Sequence, residues 1–224
     1  MFLKAVLSFH MISPTFRYIA VLLIAAFVPC LQAGTPAQER FEKMERHLRE
    51  LPSLEVRYTA EGEVFADSAL SGRMVWIRPD QFYHDTPEWT LSQHGDERWR
   101  YLKGQSTLIL ETVRDDDPQL PEEVLFALNE DVTAETLVID PAESGAHKLT
   151  LHATNEQTAD EFWLWLRADS DQPLKIAWRL PDGTIAASRV ESWRENIAVD
   201  DGLFTRPEAN EIIDFRLKKE TDKR

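Results

Sequence analysis

The order of apolar and polar positions divides this chain into one amphipathic helix followed by a long run of strands. Phe41, Met44, Leu48 and Leu51 recur at spacings of three and four, while Glu39, Arg40, Glu42, Lys43, Glu45, Arg46 and Glu50 take the opposite side. That period predicts a helix with one apolar stripe. Its start is marked twice, by Thr35 as N-cap with Gln38 three residues later and by Pro36 at the first helical position, and Pro52-Ser53 ends it. From Leu54 the period changes to two: Leu54, Val56, Tyr58 and Ala60 alternate with Glu55, Arg57, Thr59 and Glu61, a strand with one wet face.

Short strands continue at Glu63 to Phe65, Leu70 to Ile77, Phe82 to His84, Trp89 to Gln93, Glu97 to Leu102 and Ser106 to Val113, the last reading as the longest. The acidic turn Arg114 to Pro118 interrupts them. Pro121 to Leu128 then reads as a second short helix, with Val124, Leu125 and Leu128 as its apolar stripe. Strands resume at Thr136 to Ile139, His147 to Thr154, Phe162 to Arg167 and Leu174 to Leu180, and Pro181-Asp182-Gly183 turns into Ile185 to Trp193. Leu203-Phe204 and Ile212 to Phe215 read as a last extended piece, and Arg216 to Arg224 as a polar tail. About eleven strands without intervening crossover helices predict an antiparallel meander closing towards a sandwich or barrel, in one domain over residues 34–215.

The first 33 residues stand apart. Lys4 and Arg17 are their only charges, and Tyr18 to Val28 is an apolar run of signal-peptide length, short for a membrane span. Leu31-Gln32-Ala33 offers a cleavage site with Gly34 as the new N-terminus, whether translation starts at Met1 or Met11. The reading is an exported, periplasmic protein. Cys30 is the sole cysteine, and Phe27 and Pro29 before it do not suit lipid modification, so cleavage after Ala33 leaves no thiol chemistry. A formal charge of −14 in 224 residues argues against nucleic acid as a partner.

Catalytic patterns do not assemble. His47, His84, His94, His147 and His152 fall on different elements without metal-ligand spacing, and there is no Gly-x-Ser-x-Gly elbow or phosphate-binding glycine loop. Neither cofactor, metal nor enzyme activity is expected. The aromatic supply is more informative. Trp76, Trp99, Trp163, Trp165, Trp178 and Trp193 lie in strands, and Phe162-Trp163-Leu164-Trp165-Leu166 is apolar on both faces, so both must be covered. Which face lines an interior is left open by the pattern. At Arg78-Pro79 a strand ends abruptly, and its arginine carries five donors that suit backbone carbonyls or a carboxylate.

In order and spacing, Ser71-Gly72, Arg78-Pro79-x-x-Phe82, Gly95-x-x-x-Trp99-x-Tyr101 and Leu203-Phe204-x-x-Pro207, behind a lid-type helix, resemble the LolA family of periplasmic lipoprotein carriers, from Gln38 to Phe215. The resemblance implies an unclosed antiparallel barrel whose apolar concave face is covered by a lid of short helices. It implies that Arg78 holds the lid through helix carbonyls, and that Phe82 lies at the mouth, where a lipoprotein-releasing ABC transporter of the inner membrane loads the carrier. The lid residues would be Phe41, Met44, Leu48, Leu125 and Leu128, and the lining Met74, Trp76, Trp99, Leu164 and Leu166. Acylated lipoproteins would be the cargo, an outer-membrane acceptor the destination, and the carrier a monomer. Two positions depart from the family pattern, His84 where a Trp is common and Arg206 where a Phe is. A lipid sensor of the same fold and a hydrolase on a barrel scaffold are the alternatives.

Overall fold

The computed structural model describes residues 35–62, 71–113, 132–153, 162–179, 182–198 and 200–216. The leader, the Glu63 to Phe65 strand, the second helix with Leu125 and Leu128, and nearly all of the polar tail lie outside the described residues.

Helix α1 (Pro36–Glu50) begins where its signals place it: the Thr35 hydroxyl accepts from the Gln38 amide at 3.1 Å. The reciprocal half of the capping box does not form. The Gln38 side chain instead accepts from the Ala134 amide at 2.8 Å and donates to Glu42, because a strand edge there offers a buried amide in need of an acceptor. Ala37, Phe41, Met44 and Leu48 form the buried stripe.

Among the described residues twelve strands follow, in one sheet: β1 (Ser53–Gly62), β2 (Ser71–Ile77), β3 (Gln81–Asp85), β4 (Trp89–His94), β5 (Glu97–Leu102), β6 (Thr107–Thr112), β7 (Val132–Asp140), β8 (Ala146–Ala153), β9 (Phe162–Leu166), β10 (Pro173–Arg179), β11 (Ile185–Glu195) and β12 (Glu211–Asp214). Their spatial order is β12-β6-β5-β4-β3-β2-β1-β11-β10-β9-β8-β7. Two antiparallel meanders, β1 to β6 and β7 to β11, are therefore joined side by side where β11 pairs antiparallel with β1. Strands β7 and β12 are the two ends and do not pair with each other, so the barrel is open.

Three expectations change. The strand from Ser106 is six residues, shorter than the eleven of β11, because Ser106 takes a left-handed φ of 51° and belongs to the preceding turn. Leu203-Phe204 is a 3-10 turn capped by Asp200, whose carboxylate accepts from the Gly202 amide at 3.0 Å. β12, the twelfth strand, pairs parallel to β6, since the chain reaches it from the middle of the sheet and not through a hairpin.

Candidate functional site

The registers decide which face is inside. Trp76 stands between Leu54 and Phe82, Met74 between Val56 and His84, and Leu164 between Leu149 and Ile176. These rows share one face with Phe162, Leu166 and Leu151, and the stripe of α1 packs into them as a single cluster. Of the proposed site residues, the structure brings Phe41, Met44, Leu48, Met74, Trp76, Phe82, Leu164 and Leu166 together there. Leu48, Leu164 and Leu166 are at most 1% exposed and Trp76 is 3% exposed, so the interior is closed by the helix lying on it.

Trp99 is not among them. Its partners Ser92 and Leu110 lie on the convex face, where it packs with Leu108, Leu110 and Ala209. The segment after β11 that contains Ala209 covers it there, and Phe204 in the same segment meets the Tyr83 ring edge-on at 6.3 Å. Trp99 is a convex-face residue, and the expectation that it lines the interior is corrected. Alternation could not show this, since both faces of β5 carry long side chains.

Arg78 sits past the end of β2, before Pro79, with a cis peptide between them. Its amide donates to the Pro52 carbonyl at 2.9 Å. The guanidinium then donates to two carbonyls at the end of α1, from Nε to Leu51 and from Nη2 to Leu48, each at 3.0 Å. Helix ends leave carbonyls without intrahelical partners, and a cation there also meets the negative end of the helix dipole. The rest of α1 is tied independently. Thr35 Oγ1 donates to the Ala134 carbonyl on β7, Arg40 and Lys43 both pair with Asp171 in the β9–β10 turn, and His47 meets Glu195 at 2.9 Å.

A polar and aromatic shelf borders the interior, which sequence patterning did not single out. Tyr58 Oη and His84 Nε2 share a 2.8 Å hydrogen bond, and the His84 ring lies edge-on to Trp89 with centroids 4.6 Å apart. Trp89 thus supplies an aromatic ring beside His84, where the resemblance led to a Trp. Burial pushes the His84 pKa down to about 4, opposed by Asp85, and pushes Tyr58 up to about 12. Both groups are neutral at pH 7. Further along the concave face the lining turns polar, with Gln93 accepting from Arg98 at 2.8 Å.

Around β1 the convex face is ionic. Glu55, on the side expected to be wet, is 1% exposed and is held by Arg57, Arg73 and Arg194 at 3.3, 2.6 and 2.8 Å. Burial pushes its carboxyl up, but the hydrogen bonds from Arg73 and Arg194 outweigh this and hold it below the usual range. A cleft of about 420 Å³ beside this group has charged side chains from Arg57, Arg73, Asp85, Lys103 and Glu191 in its lining together with the apolar surface of Tyr58 and Pro87. The second apolar face of β9 is covered by cations: Lys148 lies over Trp163 and Trp165, Lys175 over Trp165 and Arg179 over Trp163, all 5.0–5.4 Å from the ring centres. Arg206 pairs with Glu97. Among the described residues no group of His, Cys, Asp and Glu is arranged to hold a metal ion, and no helix is long and apolar enough to cross a membrane.

An open antiparallel sheet, apolar on its concave side and closed by a helix whose last carbonyls are held from the end of a strand, is the architecture that the resemblance to the LolA family implied. No protein-family model matches the sequence, and no curated protein does. Solved structures do. An uncharacterized conserved protein from Thermus thermophilus aligns with TM-score 0.56 and 15% identity over 80% of this chain and 98% of that one. A LolA superfamily protein from Nitrosomonas europaea aligns with TM-score 0.39 and 12% identity over 76% and 97%. The MucA/MucB complex of Pseudomonas aeruginosa gives TM-score 0.38 and 15% identity over 76% and 61%. At 15% identity the likeness to the Thermus thermophilus protein is one of fold.

Proposed function

We propose that this protein is a periplasmic carrier that shields the acyl chains of lipoproteins in the interior beneath α1 and carries them from the inner towards the outer membrane, without chemistry. The observation that carries the reading is the pairing of a buried apolar cluster on the concave face with a helix whose end is held by Arg78. An acyl chain in water costs about 0.8 kcal/mol per methylene, so a lipid with two or three chains cannot cross an aqueous space unaided. In the closed form the apolar stripe of α1 occupies the interior. Incoming chains replace one apolar surface with another, which keeps the net affinity modest and allows the cargo to be handed on.

Phe82, half-buried at the rim of the cluster against Trp76, is the contact point for the loading transporter. Met44 and Met74 give the lining its tolerance of chain position. The carrier acts as a monomer between a lipoprotein-releasing ABC transporter and an outer-membrane acceptor. Native mass spectrometry of mature protein isolated from a Gram-negative periplasm, with organic extraction, tests this: bound acylated lipoprotein is expected. Free lipid alone would favour a sensor or phospholipid carrier on the same fold, and an empty interior would leave only a packed core.

A further inference from the structure

Among the described residues, the apolar cluster beneath α1 holds a polar atom with nothing to bond. Trp76 is 3% exposed, and its indole Nε1–H has no hydrogen-bond partner. Other tryptophans on this sheet are satisfied: Trp165 Nε1 donates to Asp140 at 2.8 Å and Trp193 Nε1 to Glu195 at 2.8 Å. A buried donor left unmade costs more than a hydrogen bond contributes, so native structures rarely keep one without a reason.

The described surroundings offer no substitute. On its row Trp76 is flanked by Leu54 and Phe82, and the cluster around it is built of Leu, Val, Ile, Ala, Met and aromatic side chains. The Tyr58 hydroxyl in that cluster is engaged with His84. The Leu48 and Leu51 carbonyls at the end of α1 are engaged by Arg78. The next polar side chains on its row are Gln93, beyond Phe82, and Glu195, beyond Leu54; Gln93 is engaged with Arg98, and Glu195 with His47 and Trp193.

Building on the carrier reading, we propose that Trp76 Nε1–H is the donor that receives the carbonyl of an acyl ester or amide, so that the site selects carbonyl-linked acyl chains over bare hydrocarbon or ether-linked chains. A carbonyl oxygen at the head of an acyl chain is the acceptor such a cargo brings into an otherwise apolar space. The donor then acts as a depth stop: methylenes beyond the carbonyl pack against Leu and Met, and the linkage halts at Trp76, at the end of the interior that Arg78 holds.

The test compares 1-monopalmitoylglycerol with 1-O-hexadecylglycerol, which share head group and chain length and differ in the carbonyl, by displacement of an environment-sensitive hydrophobic dye from the mature protein. Wild type is expected to bind the ester about tenfold more tightly. Trp76→Phe, which keeps an aromatic ring and removes the N–H, is expected to bind the two alike, whatever the smaller ring does to the affinity they share. If wild type binds both equally, the carrier reading stands and the donor role is overturned. If the ester preference survives in Trp76→Phe, another group reads the carbonyl and the assignment to Trp76 is wrong. Binding of neither ligand by wild type overturns both readings together. The wild-type comparison needs no variant, so it holds whether or not Trp76→Phe folds.

Discussion

Gly72 lies directly beneath the ring of Tyr58: a Cβ placed on Gly72 would fall 2.4 Å from Tyr58 Cζ. The two residues are cross-strand partners on β2 and β1, and the missing side chain of one makes room for the ring of the other. This is the physical reason for a glycine in the Ser71-Gly72 pair.

Gly72→Ala is therefore expected to destabilise the fold by about 1–3 kcal/mol through overpacking. In a Tyr58→Ala background the same substitution should cost close to nothing, since the two residues share one volume. Urea unfolding of the four proteins of this cycle measures it. Equal costs in both backgrounds would refute the packing account.

Removing Arg78 should loosen one end of α1 only. Arg78→Leu deletes two hydrogen bonds from a charged donor, worth about 3–6 kcal/mol together, while the Asp171 and Ala134 ties remain. Hydrogen exchange is expected to speed up across residues 44–51 and not across 36–43. Lipoprotein transfer should weaken in the same variant. His47 and Glu195 form a pair too exposed to compensate.

The opposite pattern is expected for Asp171→Asn. Asp171 takes a left-handed φ of 57°, which Asn also accepts, so the backbone is spared while Arg40 and Lys43 lose their shared carboxylate. Exchange should rise in the first half of α1 and stay slow at its end.

His84 makes the protein acid-sensitive above the carboxylate range. Its folded pKa of about 4 is below the ordinary 6.5, so the unfolded chain binds the extra proton first and stability falls as pH drops from 6.5 to 4. The full span corresponds to about 3 kcal/mol. His84→Gln, which does not titrate and can still bond Tyr58, should flatten the urea midpoint across this window. An unchanged slope would show that His84 stays solvated.

Glu55 works in a lower window. Its folded pKa is depressed, so its contribution is complete above the ordinary 4.5 and is lost as pH falls through the folded value. Glu55→Gln leaves Arg57, Arg73 and Arg194 facing one another and is expected to cost about 1–3 kcal/mol at pH 7, reduced because the arginines are partly solvated. Chemical unfolding at low and high salt reads it, with the smaller loss at high salt.

What could be read from the chain was local. The α1 stripe and its Thr35 cap depend on spacings of three and four, and the break at Arg78-Pro79 depends on the chemistry of two adjacent residues. The antiparallel meander followed from strand count and the absence of crossover helices, whereas its being unclosed was implied by the resemblance and not by the pattern. Long-range pairings were not legible. Trp99 and Trp76 look alike in their strands, and only the register and the cover from Phe204 and Ala209, more than a hundred residues later, put them on opposite faces. Glu55 read as solvent-facing because the arginines that enclose it come from β1, β2 and β11. Gly72 was visible as part of a motif, but its reason lay in Tyr58 across the sheet.

The attachments of α1 reach Ala134 on β7, Asp171 beyond β9, Glu195 on β11 and Arg78 after β2, which in sheet order bracket seven neighbouring strands from β7 to β2. A rod fastened across a curved plate sets its radius. In the closed form the helix thereby fixes how tightly that part of the sheet is rolled. The described residues of the strands from β3 to β6 and of β12 share none of these fastenings, so the helix braces one flank of the sheet and leaves the other to its own pairings.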